Sequence, residues 1–194
     1  MNPSCTFLVI ENRTQLEMFF DSILSLLEMS TADGAILGFQ KKLTETDANN
    51  YKSDLMDQIQ GGTLKLLIAH TDNNEVVLNC FLKGSLQDTT RHIFDLQKGF
   101  IHPDLRGTGL LPKAMYFIAK TAKDHAVDVL TLDVRDGTPA HRLWKRVGFK
   151  TFGIMDDYSR YEGKSYLGHF MSIRTDDLLK QFQFAGETPL AETA

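Results

Sequence analysis

The sequence predicts an α/β fold of about seven strands with helices between them, and three observations carry that reading. Short runs of β-branched and aromatic residues alternate with longer segments in which apolar side chains recur every three or four positions. One strand-like run, residues 94–101, passes through the glycine-bearing turn Arg106-Gly-Thr-Gly109 straight into a helical pattern. The composition, 42% hydrophobic and 24% charged over 194 residues, is that of a chain able to close one core. At this length roughly 70% of the unfolded surface is buried on folding.

Each element follows from local pattern. Residues 5–10 read as the first strand. Thr14-x-x-Glu17 has the form of a capping box, opening a helix with Leu16, Phe19, Phe20, Ile23, Leu24 and Leu27 on one face. A loop with Asp33-Gly34 and Gly38 follows, and its apolar Ala35-Ile-Leu-Gly-Phe39 suits either a lid or core packing. A second helix begins near Thr44, carries Tyr51, Leu55, Met56 and Ile59, and ends at Gly61-Gly62. Residues 63–71 and 75–84 form a hairpin across Asp72-Asn-Asn74. In the fourth strand Phe94 and Leu96 alternate with Asp95 and Gln97 until Gly99 interrupts, which predicts a bulge or a closely approached backbone.

After the glycine turn, Leu111, Ala114, Met115, Ile118 and Ala122 make a helical stripe, with Pro112 early enough that its missing N–H costs nothing. Residues 129–134 are the next strand, and 140–147 a short helix running into Gly148-Phe149. Two closing strands, 149–155 and 164–173, are joined through a polar loop over 156–163. A helix over 176–184 ends the pattern. The expected organisation is one domain over 1–175, then a short C-terminal helix and flexible tail over 176–194.

Several classes are disfavoured. No run of ~18 apolar residues is present to span a membrane, and the N-terminal stretch lacks the basic start of a signal peptide. Cys5 and Cys80 stand alone, which predicts two reduced thiols in a cytoplasmic protein. A net charge of −4 argues against nucleic acid as the partner. The six histidines show no metal-ligand spacing and the cysteines none, so no metal is expected.

The stretch 94–113 has the character of an anion site, because a glycine turn and a first helical turn converge backbone N–H groups with no side chain in the way. A Walker loop would need Gly-Lys-Ser/Thr, and a Rossmann fingerprint a third glycine where Pro112 stands. Ile101-His-Pro-Asp-Leu-Arg-Gly-Thr-Gly-Leu110 instead resembles the acetyl-CoA pyrophosphate loop of the GNAT superfamily of N-acetyltransferases, Gln/Arg-x-x-Gly-x-Gly/Ala after a Val-x-Pro strand end. Arg106 and Gly109 match, while Leu111 takes the place of the last small residue. Downstream, Ala140, Leu143, Gly148 and Phe149 match the family's Asn-x-x-Ala-x-x-Leu-Tyr-x-x-x-Gly-Phe; Gly137 replaces the Asn and Trp144 the Tyr. The resemblance is specific over about residues 93–173, and before that it lies in the order of elements alone.

That resemblance implies a GNAT-like α/β sandwich: a central mixed sheet flanked by helices, with a splay between the fourth and fifth strands. It implies transfer of an acetyl group from acetyl-CoA, as co-substrate, to a primary amine of a small molecule or peptide by direct attack in a ternary complex. Pantetheine would lie along Phe100 and Ile101, and N–H groups from Arg106, Gly107, Thr108, Gly109, Leu110 and Leu111 would hold the pyrophosphate, with Lys113 as a reinforcing charge. Asp95 is the first candidate base and Asp133 the second. Trp144 cannot act as an acid, so Tyr158 and Tyr161 are candidates for that role, as is no acid at all. Asp156 and Asp157 are candidates for holding a cationic acceptor. Other readings are a non-catalytic acyl-CoA-binding sensor and, resting on the glycine loop alone, a nucleotide-binding protein. Edge strands leave a homodimer open.

Overall fold

The computed structural model describes residues 4–32, 43–161 and 163–187. In chain order the strands are β1 (Cys5–Ile10), β2 (Leu64–Thr71), β3 (Val76–Lys83), β4 (Ile93–Ile101), β5 (Val129–Arg135), β6 (Lys150–Tyr161) and β7 (Lys164–Arg174). The helices are α1 (Arg13–Ala32), α2 (Glu45–Gln60), α3 (Leu110–Asp124), α4 (Pro139–Val147) and α5 (Thr175–Glu187). One mixed sheet runs in the order β1-β2-β3-β4-β5-β7-β6. Neighbouring strands are antiparallel except β4 and β5, which run parallel.

Each face of the sheet closes a core of its own. Leu16, Phe19, Phe20, Ile23 and Leu27 of α1 pack with Leu55, Met56 and Ile59 of α2 against Leu66, Ile68 and Phe81. On the other face Ala114, Met115, Ile118 and Ala122 of α3, Val147 of α4 and Leu178 of α5 pack against Leu67, Leu82, Leu96, Leu130 and Met171. β6 is left at the sheet edge with Phe152, Ile154 and Met155 exposed.

Local chemistry sets the boundaries, in one case differently from the sequence expectation. The α1 cap is Asn12, whose Oδ1 accepts from the Gln15 N–H at 3.0 Å, while Gln15 Oε1 accepts from the Glu11 N–H at 2.8 Å. The cap therefore sits two residues before Thr14, with Gln15 reaching back past it to Glu11, and Glu17 pairs with Arg13 instead of closing a box. Thr44 caps α2 as expected, accepting from the Asp47 N–H at 3.1 Å. The stretch Ala35–Phe39 and the tail after Glu187 lie outside the described residues.

The bulge signalled by Gly99 is present and decides which face β4 shows. Asn79 pairs with Phe100 and Phe81 with Gln97, so Lys98 and Gly99 together oppose Cys80, with Lys98 at φ +50°. One extra residue reverses the pleat: Phe94 and Leu96 join the α3 core, whereas Phe100 crosses to the α1 core. Asp95 and Gln97, opposite in phase to Phe94 and Leu96, look out on the α1 side.

A second expectation is corrected. Residues 156–161 are not a loop but the second half of β6, paired as Ser159↔Tyr166, Arg160↔Ser165 and Tyr161↔Lys164. Asp156, Asp157 and Tyr158 form a wide bulge opposite Leu167, with Asp157 at φ +53°. A polar, charged edge strand has the composition of a loop, and only its cross-strand partner distinguishes the two.

Candidate active site at the splay between β4 and β5

The parallel ladder between β4 and β5 is three rungs long: Ile93↔Val129, Phe94↔Leu130 and Asp95↔Thr131. Both strands continue, β4 to Ile101 and β5 to Arg135, without pairing further. Unpaired backbone therefore lines a wedge that opens toward the carboxyl ends of the strands.

At its mouth the chain makes one 3₁₀ turn, Pro103–Leu105, and then places both Gly107 (φ +81°) and Gly109 (φ +89°) in the left-handed region. Gly109 is the N-cap of α3, and no side chain caps that end. A Cβ at either glycine would meet no atom within 4 Å. Thr108 turns its hydroxyl inward, donating to the Leu105 carbonyl at 2.7 Å, and Pro112 has no N–H to satisfy. The result is an open, uncapped helix N-terminus carrying the positive end of the α3 dipole. Arg106 folds back along β4: its guanidinium donates to the Ile101 carbonyl at 3.3 Å and stands 5.1 Å from the Phe100 ring centre.

The two sides of the wedge differ chemically. On the α3 side Trp144 of α4 reaches over to β4, its Cζ2 3.9 Å from where a Gly99 Cβ would stand, and packs edge-on against Phe149. Beside it Cys80 is fully buried, which, with the nearby Asp95 charge, pushes its thiol up to about 12.

On the α1 side a line of polar groups crosses the gap. Asp95 accepts from Thr131 Oγ1 at 2.8 Å and from Gln97 Nε2 at 2.9 Å. Thr131 and Asp133 share one face of β5, and Asp133 accepts a hydrogen bond from the Tyr158 hydroxyl. Burial and the Asp133 carboxylate raise the Tyr158 pKa above that of an ordinary phenol, with Asp95 adding to the effect. The tyrosine ring rests directly on Gly168, where no side chain would fit.

The predicted site residues thus divide. Asp95 and Tyr158, 63 positions apart in sequence, come together around Thr131 and Asp133. Phe100, Ile101, Arg106, Gly107, Thr108, Gly109, Leu110 and Leu111 form the wedge's β4 edge and mouth. Tyr161 lies apart, its ring 5.9 Å from the Arg135 guanidinium. Asp157 is engaged within its own hairpin, by the Arg160 guanidinium and by Ser165 Oγ at 2.5 Å, which holds its carboxyl well below the usual range. It is not a free carboxylate awaiting an amine, and Asp156 beside it is exposed on the bulge. Thr131 escaped the sequence reading, although its place two residues before Asp133 puts it on the same strand face. His141, on α4, is buried, its side chain only 10% exposed.

No sequence-family profile matches this chain, and no curated protein matches it by sequence. Solved structures do match its fold. The ribosomal-protein-alanine N-acetyltransferase of Brucella melitensis superposes with a TM-score of 0.69 at 17% identity, over 86% of this chain and 99% of that one. The Salmonella typhimurium protein yncA, solved with its cofactor acetyl-CoA, gives 0.69 at 16% identity, over 90% of this chain and 95% of its own. A spermidine N-acetyltransferase chimera of the Vibrio cholerae SpeG and hSSAT gives 0.68 at 13% identity, over 91% and 98%. The chain has the GNAT fold, with its mixed seven-stranded sheet and its splay between the fourth and fifth strands.

Proposed function

We propose that this protein is an acetyl-CoA-dependent N-acetyltransferase acting on a primary amine. The observation that carries the reading is the uncapped N-terminus of α3, reached through two left-handed glycines and set at the mouth of the splay. Backbone N–H groups there would hold a diphosphate, which needs convergent donors and no side-chain bulk. The unpaired edge of β4 at Phe100 and Ile101 offers main-chain groups to an extended amide-bearing arm. Acetyl-CoA supplies an activated acetyl thioester. The names of the fold neighbours agree, since alanine and spermidine are amines and yncA was solved with acetyl-CoA.

In this reading the chain's residues act as follows. Asp95, held by Thr131 and Gln97, takes the proton from the attacking amine, directly or through water. Asp133 adds negative potential on the same side, so a cationic amine is drawn to the α1 face of the wedge. A main-chain N–H near Ile101 donates to the developing oxyanion. Tyr158 holds its own proton more tightly than a free phenol does, so it serves as a hydrogen-bond donor, and the departing thiolate leaves without a strong acid. Asp156 remains a candidate for an outer contact to a polyvalent acceptor.

One observation favours a second reading, a non-catalytic acyl-CoA-binding module: Trp144 stands where the resemblance implies a tyrosine, and its indole lies against the β4 edge. Calorimetric titration with acetyl-CoA, with ATP and NAD as controls, followed by a free-thiol assay over a panel of amines, separates the alternatives. Micromolar acetyl-CoA binding with amine-dependent thiol release is the expected result. Binding without release for any amine selects the sensor, and absence of binding removes both.

A further inference from the structure

We propose that Asp136, His141 and His169 form a binding site for a divalent transition-metal ion, with Zn²⁺ as the first probe. In sequence His169 stands far from Asp136 and His141, and the fold brings the three together under the start of α4. Asp136 follows the end of β5, its N–H donating to the Leu167 carbonyl at 2.8 Å, so the β5–β7 ladder fixes its backbone. Gly137, at φ +69°, then turns the chain. Thr138 locks the turn, donating to the Arg135 carbonyl at 2.8 Å and accepting from the His141 N–H at 3.1 Å as the cap of α4. His169 stands opposite Val134 on β7, on the face that α4 covers.

The side-chain geometry is close to what a metal requires. His169 Nε2 lies 3.0 Å and His141 Nδ1 3.3 Å from the same oxygen, Asp136 Oδ1. All three potential ligand atoms fall within 4.8 Å of one another. Tetrahedral Zn²⁺ with bonds of about 2.0–2.2 Å spaces its ligands by about 3.3 Å, so two edges of the triangle need little change. The two imidazoles stack, centroids 4.1 Å apart and 25° from parallel, so holding one ion requires both rings to turn until their nitrogens converge beside Asp136.

The surroundings also suit a ligand site. The far nitrogen of His169, Nδ1, lies 3.2 Å from Thr151 Oγ1, the outer partner that orients a ligating imidazole and sets its tautomer. Both imidazoles are shielded, with side chains 10% and 14% exposed, while Asp136 at 54% leaves the mouth open for water as a fourth ligand. Two imidazoles and one carboxylate select borderline cations such as Zn²⁺, Ni²⁺ or Cu²⁺ over Ca²⁺ and Mg²⁺. An ion here would clamp β5, α4 and β7 together and so steady the helix that carries Trp144 to the edge of the splay. The expectation of no metal rested on sequence spacing, which cannot register ligands drawn from three separate elements.

The test uses tag-free protein freed of metal by a chelator. Titration with Zn²⁺ should show one equivalent bound, and Co²⁺ should give the visible absorption of a tetrahedral complex. Asp136→Asn, His141→Asn and His169→Gln should each weaken Zn²⁺ at least tenfold, and Thr151→Val by about 10- to 100-fold through loss of the outer partner. Because a variant could misfold, ¹⁵N-histidine spectra of the wild-type protein give an independent readout: Zn²⁺ should shift the resonances of two of the six histidines. Absence of saturable one-to-one binding, unchanged affinity in folded variants, or shifts at other histidines would each overturn the proposal.

Discussion

Thr131 donates a 2.8 Å hydrogen bond to the Asp95 carboxylate across the last parallel rung before β4 and β5 part. The proposed base is thus held at the apex of the wedge by the strand on its other side. Asp95→Asn keeps the shape and removes the basic oxygen, so turnover at neutral pH should fall by about 100-fold or more. The loss should shrink at high pH, where the amine is already neutral. A pH–rate profile that keeps its shape would exclude Asp95 as the base. Thr131→Val should lower kcat several-fold and leave KM for acetyl-CoA unchanged, as expected of a positioning residue.

The mouth of the wedge can be tested by charge. Arg106→Glu combined with Gly109→Asp places two carboxylates where a diphosphate would sit and puts a side chain at φ +89°, where glycine leaves the site open. Acetyl-CoA binding should drop below calorimetric detection while the far-ultraviolet dichroism persists. Undiminished affinity would mean that the turn is purely structural.

Trp144 is the only tryptophan, so the protein carries a built-in reporter at the wedge. Its indole borders Gly99 on β4, and a ligand lying along Phe100 and Ile101 must change its surroundings. Emission should shift in intensity or wavelength on adding acetyl-CoA, with the midpoint found by calorimetry. Silent fluorescence alongside calorimetric binding would place the ligand elsewhere. Trp144→Tyr tests the chemistry separately: a rise in turnover would show that a missing proton donor limits the rate.

Gly168 exists for Tyr158. A Cβ there would overlap the Tyr158 ring, so Gly168→Ala should cost about 1–3 kcal/mol in urea unfolding. Combining it with Tyr158→Ala should recover much of that cost, since the two side chains compete for one space. Additive costs would contradict the packing.

The raised Tyr158 pKa has a definite sign. In the unfolded chain this phenol ionises near 10, whereas the folded protein keeps it protonated, so its contribution is intact below pH 10 and is lost as pH rises beyond that. Tyr51, raised by burial, acts in the same direction. Stability should therefore fall as pH rises above about 10, less steeply in Tyr158→Phe. Equal slopes in the two proteins would show that Tyr158 titrates normally in the native state.

The sequence by itself determined what depends on near neighbours along the chain. The seven strands and five helices, the Thr44 cap, the turn at Asp72–Asn74 and the left-handed glycines before α3 all follow from periodicity and short-range backbone sterics. Gly99 announced the bulge for the same reason, because an irregularity in one strand leaves a mark in its own residues.

What tertiary structure alone decided are relationships between strands. Whether residues 156–161 are loop or strand depends on β7 lying alongside them, and the engagement of Asp157 by Ser165 follows from that pairing. The placement of Asp95 beside Thr131 needs the β4–β5 register, and the crossing of Phe100 to the α1 face needs the extra residue opposite Cys80. Asp136, His141 and His169 meet only because β7 inserts between β5 and β6. Sequence periodicity reports which face of an element is apolar; it holds no information about which side chain of a distant strand stands opposite, and the chemistry of this site lies in those pairings.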